Sequence, residues 1–345
     1  MEFGSRLFVS LLFAALILGF PSLRRWNTAR LYSRGRKLVK QSNRVIGDSK
    51  NGLRWGNQWL PESSAVQHFL AVGTTGSGKS LIQKLLMKEP LQRIQNGSDS
   101  RAVIFDAKND VAGYLKQIDV GCPVYSLNPF ESSDTFPIAV GWDIAKDITS
   151  PARALNLATS LIAQEKGGNN QYFSDAARQV VAGVIESFIK HSPCSWTFPD
   201  LVIACMSQNR IRQVLCRDNA GKEVIDSFFG DDRTGYQVFT TICSKMSYFK
   251  TVAALWQRNT KRLSICDWLK SDSILILGAN ATVKKSLDAI NEQLFRVMVE
   301  EIDVQTNSSN RRTWVWIDEA RLSGPLLKSD LLPFLAVKGL SLIHI

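Results

Sequence analysis

Histidine is almost missing from this chain of 345 residues, with three in all, and none of the six cysteines (Cys122, Cys194, Cys205, Cys216, Cys243, Cys266) forms a C-x-x-C pair. These spacings assemble no zinc or thiol-redox centre, and they suit reduced thiols in a cytosolic domain. No internal repeat or low-complexity tract is present. Net positive charge is also scarce over most of the length, despite a total of +11. The stretch from Arg24 to Arg54 holds ten basic residues (Arg24, Arg25, Arg30, Arg34, Arg36, Lys37, Lys40, Arg44, Lys50, Arg54) against one acid, Asp48, and so supplies +9 of that total. Beyond Arg54 the chain is not basic enough for charge alone to mark a nucleic-acid surface.

One apolar run is long. Leu7 to Phe20 is apolar apart from Ser10, and Pro21-Ser22-Leu23 extends it to 17 residues before Arg24. A bilayer span wants about 20 residues, with about 17 as the lower limit. Signal peptides carry their positive charge ahead of the apolar core, whereas here it follows. Excess Lys and Arg just past a span marks the cytoplasmic side. The expectation is a transmembrane helix within residues 1–23, a basic juxtamembrane segment over 24–54 and a cytoplasmic remainder. A buried N-terminal helix is the plainer alternative.

The most specific signal is Gly73-Thr74-Thr75-Gly76-Ser77-Gly78-Lys79-Ser80, which fits G-x-x-x-x-G-K-[ST] at every fixed position. The apolar run His68–Val72 precedes it at strand length. Leu81, Ile82, Leu85 and Leu86 follow on one helical face until Pro90 breaks the pattern. Strand, glycine loop and helix point backbone N–H groups and a helix N-terminus at a phosphate. In that arrangement Gly73 through Ser80 cradle ATP. Lys79 reaches the β- and γ-phosphates, and the Ser80 hydroxyl ligates Mg²⁺. The guanine-reading sequence N-K-x-D is missing, which disfavours GTP.

Two more apolar runs end in acid: Ala102-Val103-Ile104-Phe105-Asp106 and Trp314-Val315-Trp316-Ile317-Asp318-Glu319. A Walker B strand delivers an Asp to the Mg²⁺ shell, and in ATPases that polarise their own water a Glu follows directly. Only the second run offers that pair, so Asp318 is assigned to Mg²⁺ and Glu319 to the attacking water. An acidic pair capping the next segment is the bland alternative. Asp106, followed by Ala107, stays a strand-end residue beside the nucleotide with its role open.

A minimal P-loop core brings these two elements much closer together than Gly73 and Asp318, so something is inserted. Tyr172–Lys190 shows apolar residues at Phe173, Ala176, Ala177, Val180, Val181, Val184, Ile185, Phe188 and Ile189, a 3.6-residue period. Shorter helical stretches follow around Pro199–Met206, Arg210–Cys216 and Tyr248–Trp256. The next convincing strand is Ser273–Leu277, and a long helix through Leu287, Ile290, Leu294, Val297 and Met298 leads to the Walker B strand. The fold class read from this pattern is α/β, with residues 55–150 and 263–345 forming a nucleotide-binding domain and 151–262 an inserted all-α domain.

The ordered set of these segments resembles the type IV secretion coupling proteins of the TraD/TrwB kind. The likeness runs through the N-terminal apolar segment, Gly73–Ser80, Asp106, Asn128-Pro129-Phe130 and Gly141-Trp142-Asp143. It continues through Tyr172–Arg178, Leu263–Leu269 and Trp314–Glu319. The resemblance implies a RecA-like P-loop domain carrying an all-α domain, assembled as a homo-hexamer on the bacterial inner membrane. It implies ATP hydrolysis that drives single-stranded DNA, brought by a relaxase within a relaxosome, toward the channel proteins of a type IV secretion system. Two departures stand out. The family usually has a pair of membrane helices, and Glu2-Phe3-Gly4-Ser5 reads like the product of two adjoining cloning sites. At the other end, the family pattern after Lys338-Gly339 continues with an arginine, a strand and a glutamine. Here Leu340-Ser341-Leu342-Ile343-His344-Ile345 stands instead, similar to a translated sequencing adaptor. The expectation is a truncated reading frame that lacks the arginine finger and the last strands of its sheet.

Three functions are compatible with this reading. One is a conjugative coupling ATPase, and another is a related receptor for secreted protein effectors. The third is a double-stranded DNA pump of chromosome segregation, disfavoured because such pumps lack the helical insertion. Lys245, Lys250, Arg258, Lys261 and Arg262 are local candidates for DNA contact, with solvated helix surface as the plainer account.

Overall fold

The computed structural model describes residues 52–55, 58–61, 64, 69–74, 76–165, 167–306, 308 and 310–318, together with the backbone of 341–344. The expected membrane helix and nearly all of the basic segment lie outside these residues. Among the described residues, no helix is long and apolar enough to cross a membrane.

The chain enters through an antiparallel pair, β1 (Leu53–Trp55) and β2 (Gln58–Leu60), then β3 (Phe69–Leu70) and α1 (Lys79–Gln92). Strand β4 (Ser100–Asp106), helix α2 (Val111–Gln117), β5 (Val124–Ser126), β6 (Ile138–Ala139) and β7 (Gly141–Trp142) follow. Helices then run without interruption by a strand: α3 (Ile144–Asp147), α4 (Pro151–Leu161), α5 (Gly168–His191), α6 (Phe198–Cys205), α7 (Gln208–Leu215), α8 (Asn219–Phe229), α9 (Asp232–Ser247) and α10 (Lys250–Trp256). The chain returns through β8 (Arg262–Leu263), α11 (Ile265–Trp268), β9 (Ile274–Gly278), α12 (Lys284–Asp303), β10 (Arg312–Ile317) and β11 (Ser341–His344).

Seven strands form one parallel sheet in the order β3-β11-β10-β4-β9-β5-β6. Its central strands are apolar on both sides, as a parallel sheet covered on both faces requires. Alternation along β4, β9 and β10 sorts them between two cores. Ala102, Ile104, Ile274, Ile276, Trp314 and Trp316 pack with Leu86, Met87 and Leu91 of α1 and Val111 and Leu115 of α2. Val103, Phe105, Leu275, Leu277, Val315 and Ile317 face the other way, into a core shared with α12 and the helices α4–α10. Crossovers β3-α1-β4 and β4-α2-β5 therefore run on one face and β9-α12-β10 on the other. Right-handed connections moving in opposite directions along a sheet must separate in this way.

The helical stretch is fastened where the chain enters and leaves it. Strands β7 and β8 pair in parallel, Gly141 with Arg262 and Trp142 with Leu263. Just beyond, the fully buried carboxylate of Asp147 accepts hydrogen bonds from Trp142 Nε1 at 2.7 Å, Ile265 N at 2.8 Å and Cys266 N at 3.0 Å. Burial pushes this carboxyl above its ordinary range, against those bonds. Arg153 of α4 adds a fork to α12, donating to Glu300 at 2.9 Å and Glu301 at 2.6 Å. Side-chain caps start four of these helices: Ser150 for α4, Thr197 with Asp200 as a capping box for α6, Asp218 for α8 and Asp231 for α9.

Two expectations are corrected. Pro90 does not break α1, which continues to Gln92. The buried proline sits in the last turn, where its missing N–H costs one hydrogen bond. The sheet also does not lack the strand beyond Walker B. Ser341–His344 pairs in parallel with β10 (Trp314 with Ser341, Ile317 with His344) and with β3 (Ile343 with Phe69). Ladder pairing uses backbone groups, so Ser341–His344 fill the position whatever the origin of their side chains.

Candidate nucleotide site

Three chain segments meet at the carboxyl ends of β3, β4 and β10, and the sheet order decides which. Strands β4 and β10 are neighbours, with Phe105 opposite Ile317 and Asp318 N bonded to Phe105 O at 3.2 Å. The turn after β4 therefore lies beside the residues after β10, although 210 positions separate Lys108 from Asp318.

The loop Gly73–Ser80 has the backbone its sequence demands. Gly76 and Gly78 take φ of 81° and 83°, left-handed values that a side chain would strain. A Cβ on Gly73 would collide with the Ser77 side chain. Helix α1 opens at Gly78 without any side-chain cap, so its first N–H groups are left for an external acceptor. Lys79 Nζ folds back over the loop and donates to Gly73 O at 3.0 Å and Thr74 O at 2.9 Å. Thr75 lies outside the described residues.

Asp318 stands at the end of β10, its side chain 7% exposed. Ser80, in the first turn of α1, faces it across a single cation, the ammonium of Lys108. Lys108 Nζ is 3.2 Å from Ser80 Oγ, 3.2 Å from Asp318 Oδ1 and 3.1 Å from Asp318 Oδ2. A hydroxyl and a carboxylate that converge on one cation-sized position are hard oxygen donors of the kind Mg²⁺ takes. The structure thus brings Ser80 and Asp318 together, with Lys79 on the same loop. Glu319 lies outside the described residues.

The role left open for Asp106 resolves here. Its buried carboxylate points back into the next turn, accepting from Lys108 N at 3.2 Å, Asp110 N at 3.3 Å and Val111 N at 3.0 Å. It caps the entry to α2 and holds the Lys108 backbone. Burial raises its pKa above the ordinary value, opposed by the three N–H donors. An ion pair at 2.8 Å between Lys84 of α1 and Asp110 pins the same turn from the other side.

Sequence reasoning missed Lys108. Its only signal was position, two residues past the acid that ends β4, and that carries meaning only once β4 is known to adjoin β10. A cavity of about 230 Å³ opens alongside, between the ends of β4, β5 and β9, lined among others by Asn109, Asn128, Phe130, Glu131 and Asn280. It lies where α2 and α12 leave adjacent strands β4 and β9 in opposite directions, the kind of crevice where open α/β sheets place ligands. Of the five cations considered for DNA contact, Lys245 is engaged in an ion pair with Glu165. Lys250, Arg258, Lys261 and Arg262 are exposed.

Residues 55–326 match the family model of the type IV secretion-system coupling protein DNA-binding domain. Among solved structures, the bacterial conjugative coupling protein TrwBdeltaN70 in an unbound form is similar with a TM-score of 0.64 at 19% identity, over 87% of this chain and 67% of that one. Plasmid coupling protein TrwB in complex with the non-hydrolysable ATP analogue ADPNP gives 0.63 at 17% identity, over 87% and 69%. The same protein with ADP and Mg²⁺ gives 0.62 at 17%, again over 87% and 69%. At these identities the structural likeness speaks for the fold. No curated protein matches the sequence.

Proposed function

The chain belongs to the type IV secretion-system coupling proteins, and from that membership we propose that it is an ATPase that moves single-stranded DNA into a type IV secretion channel during conjugation. The DNA arrives with a relaxase as part of a relaxosome. The ATPase works as a homo-hexamer anchored in the bacterial inner membrane by residues 1–23, with its catalytic body in the cytoplasm. Residues 55–150 and 263–345 form the nucleotide-binding domain of each subunit, and 151–262 form its all-α domain.

The observation that carries this reading is the convergence of Ser80 and Asp318 on one cation beside an uncapped helix N-terminus on a complete P-loop. Solved complexes of TrwB with ADPNP and with ADP and Mg²⁺ support the same ligands for this loop. The N–H groups of the loop and of the first turn of α1 bind the phosphates. Lys79 leaves the carbonyls of Gly73 and Thr74 for the β- and γ-phosphates, which offer it charge where the carbonyls offer only dipoles. Ser80 and Asp318 hold Mg²⁺, which neutralises charge on the transferring phosphoryl group. Glu319, next after Asp318, takes the proton of the attacking water.

The test is ATP hydrolysis by the full chain with and without single-stranded DNA. The reading expects activity stimulated by DNA and abolished by Lys79→Ala. Hydrolysis that ignores DNA and responds to a secreted protein would instead favour a receptor for protein cargo.

A further inference from the structure

The cation between Ser80 and Asp318 is the chain's own. Lys79, the cation supplied by the motif, is turned away to Gly73 O and Thr74 O. Lys108 instead places its ammonium 3.2 Å from Ser80 Oγ and 3.1–3.2 Å from the two oxygens of Asp318. Both oxygens that the nucleotide reading assigns to Mg²⁺ are thereby engaged by one lysine.

Its position is built from two sides. The Lys108 N–H is held by Asp106 Oδ1 at 3.2 Å, and the turn that carries it is tied to α1 by the Lys84–Asp110 pair at 2.8 Å. The exposures are unequal in a telling way: 7% for the Asp318 side chain and 41% for that of Lys108. A carboxylate that buried is costly to leave without a counter-charge. A lysine that exposed can swing into water without disturbing the core.

We propose that Lys108 is the resident counter-ion of the metal site. In the nucleotide-free protein its ammonium neutralises Asp318 and engages the Ser80 hydroxyl, and the divalent cation enters only by displacing it. Lys108 thereby sets the site against free metal, so that a metal arriving with nucleotide phosphates, which add ligands and charge of their own, is favoured over the ion alone. The proposal rests on the reading of Ser80 and Asp318 as metal ligands. Lys108 acts on the metal through competition for those ligands and is a positioning residue, not a catalytic one.

The experiment is a titration of Mn²⁺ into the nucleotide-free full chain, with free Mn²⁺ followed by electron paramagnetic resonance. Lys108→Met keeps much of the aliphatic stem and removes the charge, and it is expected to bind Mn²⁺ about fivefold tighter, the factor that about 1 kcal/mol of ion pairing represents. Lys108→Arg retains a cation and is expected to stay at the wild-type affinity. Adding Asp318→Asn to Lys108→Met is expected to erase the gain. A merely structural role for Lys108 would instead lower the urea midpoint of Lys108→Met and leave Mn²⁺ binding equal or weaker. That result overturns the proposal. Lys79→Ala separates the two layers, since it removes nucleotide binding while leaving the Mn²⁺ pattern of the Lys108 variants intact. Loss of ATP binding in the wild type would therefore sink the nucleotide reading alone.

Discussion

Replacing Asp106 with alanine tests which of the two strand-end acids serves the fold and which serves the metal. In the structure, the Asp106 carboxylate accepts three backbone N–H groups, those of Lys108, Asp110 and Val111. Val111 is buried, so its N–H would be left without water or partner, a loss of about 1–3 kcal/mol. Losing the cap of α2 falls within the same range, typically about 1 kcal/mol. The N–H groups of Lys108 and Asp110 sit nearer solvent and recover much of their bonding from water. Removing a carboxyl whose ionised form burial disfavours returns part of the loss. The net expectation is a destabilisation of about 2 kcal/mol, read as a fall in the urea midpoint at unchanged slope. Mg²⁺-dependent binding of a fluorescent ATP analogue should not weaken, because Asp318 and Ser80 are untouched. The opposite pattern, a wild-type urea midpoint with Mg²⁺-nucleotide binding lost, would refute the reasoning. Asp106 would then be the metal ligand and Asp318 would need another role.

Glu319→Gln should leave nucleotide binding intact and lower turnover by about 10²–10⁴, measured by steady-state phosphate release; turnover at the wild-type rate would remove Glu319 as the base. Asp147→Ala should destabilise the chain by about 3–5 kcal/mol in urea melts, since it strands Trp142 Nε1 and the Ile265 N–H in a buried position and the Cys266 N–H in a half-buried one. Asp218 accepts the Gly221 N–H and pairs with Lys190 and His191, which holds its carboxyl down at about 2. A depressed folded pKa gives stability that is present above the ordinary value of 3.8 and lost as pH falls through about 2, so Asp218→Asn should flatten the acid limb of stability between those values.

Much of the site could be read from local sequence. Gly73–Ser80 carries its own backbone instructions: glycines where φ is positive, no capping side chain before α1, and a lysine and a serine at fixed offsets. The strands β4, β9 and β10 announce themselves as short apolar runs ending in Asp106, Gly278 and Asp318. Helix α5 shows its 3.6-residue period over Phe173–Ile189. Helices α8 and α9 were harder to see because glycines interrupt them. Gly221 is there because a Cβ would run into the Leu215 carbonyl, and Gly235 because Phe229 packs against it. Both serve close packing between helices, which a periodicity count reads as a break. Their capping residues, Asp218 and Asp231, were the available local signal.

Local sequence therefore determined the pieces: a glycine loop with the P-loop pattern, strands that end in acid, a long amphipathic helix and the side-chain caps that start α4, α6, α8 and α9. Each of those depends on neighbours within a turn or two of backbone, so spacing is enough to reveal it. The order β3-β11-β10-β4-β9-β5-β6 was decided only by the tertiary structure. Parallel pairing sets Asp318 beside the turn after β4, which delivers Lys108 to Ser80 and Asp318 and turns Asp106 inward as a cap. The contact of Lys108 with Asp318 spans 210 positions, and local spacing carries no record of a sheet's strand order.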